Sequence, residues 1–203
     1  MRRTVAFAVF AYVVTAVLVL TGQPASSADT SDGKDIFRFD TFGDEQLWTN
    51  TLHLEQAIAN VSPTTALAVG LKVDADAVPA SVIDALKAGQ VNLSDPAVTR
   101  QLLSLNAVVG VIGTVTNGHL DSIGITCAFC HSTVDNSVTT GVGKRLDGWP
   151  NRDLDVGAIV ALSSVLSPAQ KEVFNSWGKG KFDPRLNASA AQKADLVEFL
   201  KSL

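Results

Sequence analysis

Five consecutive residues, Cys127-Ala128-Phe129-Cys130-His131, carry the side chains of this 203-residue chain best suited to chemistry. Two thiols three positions apart can each form a thioether with one vinyl group of a haem, and the adjoining imidazole is then held beneath the iron as its proximal ligand. That spacing is the attachment signature of a c-type haem. Three other uses compete for the same residues. A thioredoxin-like redox pair requires a βαβ pattern around the cysteines, which the flanking sequence lacks, and it leaves the histidine idle. A structural zinc site needs about four ligands, and beyond Cys127, Cys130 and His131 the chain adds only His53 and His119 from the usual soft set. A disulfide across two residues makes a tight, strained ring that closes little loop entropy. One covalent haem c is the favoured reading.

The second axial position then decides between functions. The only methionine is Met1, and no histidine follows His131. The candidates for a sixth ligand are therefore His119, His53, a lysine such as Lys144, or water. His119 stands twelve residues before His131, and the segment between them is long enough to cross a haem edge; an exposed turn histidine is the competing reading. His53 lies among Leu52 and Leu54 but off the strongest apolar stripe, as a surface residue would. With both axial positions filled, the iron would change oxidation state with little rearrangement, and the protein would be an electron carrier. With the sixth position open, peroxide or a diatomic gas could bind, with Glu45 and Glu55 as conceivable distal acids, giving a peroxidase-like enzyme or a sensor. The carrier needs the fewest additional residues and is favoured, with no catalytic residue assigned. Absence of methionine ligation predicts a reduction potential below that of a His/Met site.

A haem also has propionates to satisfy. The stretch from Thr139 to Asp155 is dense in glycine and charge, and Lys144, Arg145, Trp149 and Arg152 are placed to supply donors just past the motif. A solvated loop whose charges pair locally, as Arg152 with Asp153, is the alternative.

The amino terminus supports an oxidising, extracytoplasmic setting. Met1-Arg2-Arg3 is basic, Thr4 to Leu20 is almost wholly apolar, and Ser26-Ser27-Ala28 offers the small residues of a cleavage site, so residues 1–28 read as a secretory signal peptide. An uncleaved anchor is the competing reading, since an apolar run of about 17 residues is at the lower limit for spanning a bilayer. Cleavage removes Arg2 and Arg3 and no acid, taking the basic residues from 16 to 14 against 20 acidic ones, a net charge of −6. That balance argues against nucleic acid or an anionic membrane as partner, and for a redox protein with a basic docking face. The expected location is the periplasm, without membrane attachment after cleavage.

The elements that must position the motif follow from pattern. After a polar leader, Asp44-Glu45-Gln46 opens an amphipathic helix predicted to reach Asn60. A second helix is predicted from about Pro79 to Gly89, and a third from Pro96, behind the Ser94-Asp95 cap, to about Leu105. Ala107 to Val115 and Leu120 to Ile125 form the arms of a hairpin turning at Thr116-Asn117-Gly118, which delivers the chain to Cys127. Val156 to Leu166 is a short apolar helix, Ser167-Pro168-Ala169-Gln170 is a capping box opening another, and an amphipathic helix from Ala191 to Leu203 closes the chain.

The motif together with the closing helix resembles a cytochrome c. More closely, Thr41-Phe42-Gly43-Asp44-Glu45, the stretch from Ala66 to Asp74, Cys127 to Asp135, and Gly143 to Ala158 resemble the amino-terminal haem domain of bacterial di-haem proteins related to cytochrome c peroxidase. Those relatives carry a second haem motif, whereas Cys127 and Cys130 are the only cysteines here. The resemblance implies a mainly α, cytochrome c-like helical haem domain over residues 29–203, with an inserted region and one short β-hairpin, engaged in periplasmic redox work.

Overall fold

The computed structural model describes residues 30–181, 189–191, 194 and 198. The expected signal peptide and most of the expected closing helix lie outside the described residues. Contacts divide the chain into Met1–Lys34 and Asp35–Leu203. Of the first unit the described part is the start of helix α1 (Thr30–Phe39); every element after α1 belongs to the second.

The mainly α, cytochrome c-like architecture expected from the sequence is not what forms. Among the described residues, helices of ten residues or fewer alternate with three two-stranded sheets. In chain order, a π-helical turn (Gln46–Thr51) leads to α2 (Leu54–Ile58), α3 (Pro63–Ala68), β1 (Val73–Asp74), a 3-10 turn (Ala75–Ala77), α4 (Ala80–Lys87) and α5 (Pro96–Ser104). The hairpin β2 (Val111–Thr116) and β3 (His119–Ile125) comes next, then α6 (Ala128–His131), β4 (Ser132–Val134), β5 (Val142–Gly143), β6 (Arg145–Asp147), α7 (Val156–Val160) and α8 (Pro168–Asn175). β1 pairs with β5 in parallel, and β4 with β6 antiparallel. Strands of two or three residues are too short for an alternation of apolar residues to announce them, and β1 meets β5 from far along the chain.

Local rules that sequence can express are obeyed. Asp95 accepts the Ala97 N–H at 2.8 Å with Pro96 in the first helical position of α5, and Ser167 forms the reciprocal capping box with Gln170 at α8. The hairpin turns through Asn117 (φ 52°) and Gly118 (φ 78°), the two positive φ values that match a tight turn to the twist of its strands.

The helix expected from Asp44 to Asn60 is instead broken at His53, which sits at φ 49°. Tertiary hydrogen bonds explain the break. The Asp44 carboxylate accepts both the Trp48 indole N–H at 2.9 Å and the Ile125 amide at 3.0 Å, while the Thr49 hydroxyl donates to the Ile123 carbonyl and accepts its amide, each at 2.9 Å. Pinning this turn along β3 takes precedence over continuing one helix. The core gathers Leu54 from α2, Leu103 from α5, Leu120 and Ile123 from β3, Ile159 from α7 and Phe129 from the motif.

Candidate haem-attachment site

The motif folds into a single helical turn, α6, preceded by Cys127 as its cap residue. A spacing of three places Cys127 and Cys130 on one side of such a turn. Cys127 and His131 are exposed and Cys130 is half-buried, while Ala128 and Phe129 are buried. The turn thus exposes one thiol and the imidazole, packs Ala128 and Phe129 inward, and sets Cys130 between the two, partly against the core. Phe129 lies against Trp48 with ring centroids 6.3 Å apart and planes tilted by 58°. The apolar cavity beneath the turn is lined by Phe129 and Trp48 but by none of the three reactive side chains.

The turn is fixed at both ends. Upstream, Gly110 at φ 74° accepts the Thr126 amide at 3.0 Å, and a Cβ at Gly110 would overlap the backbone of Phe129. Thr126 supports the turn twice: its hydroxyl accepts the Ala128 amide at 3.3 Å and its carbonyl the Phe129 amide at 3.0 Å. Downstream, the last carbonyls of a helix normally lack partners. Here the Gly148 amide donates to the His131 carbonyl at 2.8 Å and the Asn151 amide to the Cys130 carbonyl at 2.9 Å. Asn151 is itself buried and donates its side-chain amide to the Gly70 carbonyl at 2.9 Å.

The other residues expected from sequence fall into two sets. Trp149 follows in sequence between Gly148 and Asn151, whose amides cap the turn, and is 64% exposed. Arg152, exposed, comes directly after this clamp. Arg145 is placed beside Val134, opposite it in the β4–β6 ladder, and is buried. Its neighbour Asp147 pairs with Ser132 in that ladder, accepting the Ser132 hydroxyl at 2.9 Å and the Arg38 guanidinium at 2.6 to 2.7 Å. Burial pushes the Asp147 carboxyl up, but the Arg38 and Ser132 donors outweigh it and hold the group below its ordinary value. Lys144 is exposed; its amide, with that of Ser137, is taken by the Asp135 carboxylate.

The histidines considered as sixth ligands are not gathered with the motif in this way. His119 starts β3 while the motif lies past its end, and an extended strand rising about 3.3 Å per residue separates His119 from Ile125 by roughly 20 Å. Its imidazole is 80% exposed, 3.4 Å from Asp121. His53 caps α2 with its Nδ1 3.9 Å from Glu55. Glu45 is held by the Thr41 hydroxyl at 2.6 Å. Glu55 is buried, with one carboxylate oxygen lacking a partner.

The donor set suits a haem held through carbon–sulfur bonds. Among the described residues no group of three or more His, Cys, Asp or Glu side chains gathers as a metal ion requires; the motif side chains are spread along one turn, as attachment to separate points of a large planar group demands. Both cysteines are free thiols, and burial, with Cys127 close by, pushes the Cys130 thiol up from its ordinary value. The supporting residues Gly110, Thr126 and Asn151 had no signature in the sequence. Gly110, a glycine inside an apolar run ahead of the hairpin, carried the faintest hint, since such glycines often mark a close backbone approach. Comparisons with protein-family models, with curated proteins and with solved structures find no match.

Proposed function

We propose that this chain is an exported haem protein that holds one haem c through thioethers at Cys127 and Cys130, with His131 as proximal ligand, and that it transfers electrons. The observation that supports this reading most is the motif turn itself: Cys127 and His131 are exposed with Cys130 half-buried beside them, while Ala128 and Phe129 anchor the turn to the core. A bound haem would supply a one-electron couple. Cys127 and Cys130 would hold it, the Gly148 and Asn151 amides hold the turn that carries His131, and Trp149 and Arg152 would offer an aromatic face and a cation from the exposed segment around that clamp. The acidic balance of the chain suits a partner with a basic docking face.

A second reading, an iron with an open sixth position that binds peroxide or a diatomic gas, is favoured by one observation. His119 stands at the far end of β3 from the motif. The test is the visible spectrum of the dithionite-reduced protein, made with an active haem-attachment system, before and after adding carbon monoxide. Sharp low-spin bands unmoved by the gas support electron transfer; a broad high-spin spectrum that shifts supports the open site. No haem bands at all would sink both.

A further inference from the structure

One surface cleft, of about 300 Å³, contains a cation whose hydrogen bonding is incomplete. Its walls include Arg38, Asp74, Asp76, Asn106 and Arg145, and none of Cys127, Cys130 or His131. The Arg145 side chain is only 4% exposed, and its Nε–H has no acceptor. The nearest carboxylate is already committed: Asp147 Oδ2 takes Arg38 Nε and Nη2 at 2.7 and 2.6 Å, and Oδ1 takes the Ser132 hydroxyl at 2.9 Å, leaving Arg145 Nε at 3.5 Å. Asp74, buried in the same cleft, has Oδ1 occupied by the Asp76 amide at 3.1 Å. An unmet buried donor is unfavourable, more so on a charged group. A guanidinium fork is matched by a planar, two-oxygen anion.

We propose that this cleft binds a single carboxylate group, which pairs with the Arg145 guanidinium and lies within the field of Arg38. Asp74 and Asp76 make a multiply charged anion such as phosphate the poorer fit. The carboxylate has two sources: a free small carboxylate, or one carried by a haem held at the motif, which the β4–β6 ladder links to Arg145 through Val134. The second source rests on the function proposed above; the first does not.

The cleft is tested by following the arginine Nε–H resonances of the ¹⁵N-labelled full chain, without cofactor, during titration with acetate and separately with inorganic phosphate. The Arg145 resonance is expected to move saturably with acetate and less with phosphate. In Arg145→Gln the Arg38 Nε–H resonance, which reports from the same cleft, should respond to acetate at least about tenfold more weakly, and in Arg145→Lys the loss should be smaller, with backbone spectra reporting that both fold. Repeating the titration on haem-loaded protein separates the sources. A persisting acetate response identifies a free carboxylate; a resonance already displaced and insensitive to acetate identifies the haem's own. An Arg145 resonance unmoved by acetate and identical in both forms overturns the proposal. Should no haem attach, the functional reading fails while the cofactor-free titration still decides the cleft.

Discussion

The two ends of the β2–β3 hairpin carry residues of similar chemical promise and treat them differently. At the base, the chain leaving Ile125 is held by Asp44, met by Gly110 and capped downstream by the Gly148 and Asn151 amides. At the tip, a two-residue turn leaves His119 standing in solvent beside Asp121. The His131 carbonyl is tied to the Gly148 amide and its neighbour's to Asn151, whereas the His119 side chain stands free of such a clamp at an exposed tip. The contrast separates a motif from a mere occurrence of a ligating residue.

Four experiments would break or sharpen this contrast. The largest effect is expected at the motif turn: Cys127→Ser with Cys130→Ser should abolish covalent haem, read as loss of haem stain on a denaturing gel, whereas His131→Ala should keep the stain and lose low-spin bands. Next come two glycines with similar φ. Gly110→Ala, whose Cβ would meet the Phe129 backbone, should cost about 3 kcal/mol or more, while Gly118→Ala, at φ 78° with nothing within 4 Å, should cost about 1 kcal/mol; urea unfolding compares them. Acid should then act on the base through Asp147. Its carboxyl titrates lower in the folded state than in the unfolded chain, so its stabilisation is complete above the unfolded value of about 4 and is lost as pH falls through the folded value. Asp147→Asn should flatten that acid limb of the stability profile. The smallest effect is His119→Ala: stability unchanged within about 0.5 kcal/mol and the haem spectrum unmoved. A lost low-spin signal there would show that the tip does reach the iron.

What could be read in advance was whatever one short segment decides for itself. The spacing of Cys127, Cys130 and His131, the proline and serine caps at Pro96 and Ser167, and the Asn117-Gly118 turn are all settled within a few residues. The architecture was not legible, because it depends on pairs far apart in the chain. Val73 meets Val142, Ser132 meets Asp147, and the Asp44 carboxylate reaches Ile125. The last of these explains the misjudged helix: the apolar spacing of Leu47, Trp48, Leu52, Leu54 and Ile58 satisfies a helical period, but nothing in that period records that Asp44 and Thr49 are spoken for by a strand more than seventy residues on. Within the candidate site, the motif residues stand out by their spacing, whereas the residues that support the turn do not. Asn151 and Thr126 act through backbone geometry, which their identities do not advertise.

The division of labour within the motif turn bears on the order of events in the protein's making. Ala128 and Phe129 are buried, Cys130 packs half-buried against the same core, and only Cys127 and His131 of the motif are exposed. On the function proposed above, the folded turn would present Cys127 first, and the second thioether would form at a thiol partly sheltered by the core. Loading would then begin as a surface reaction on a folded body and finish at its edge.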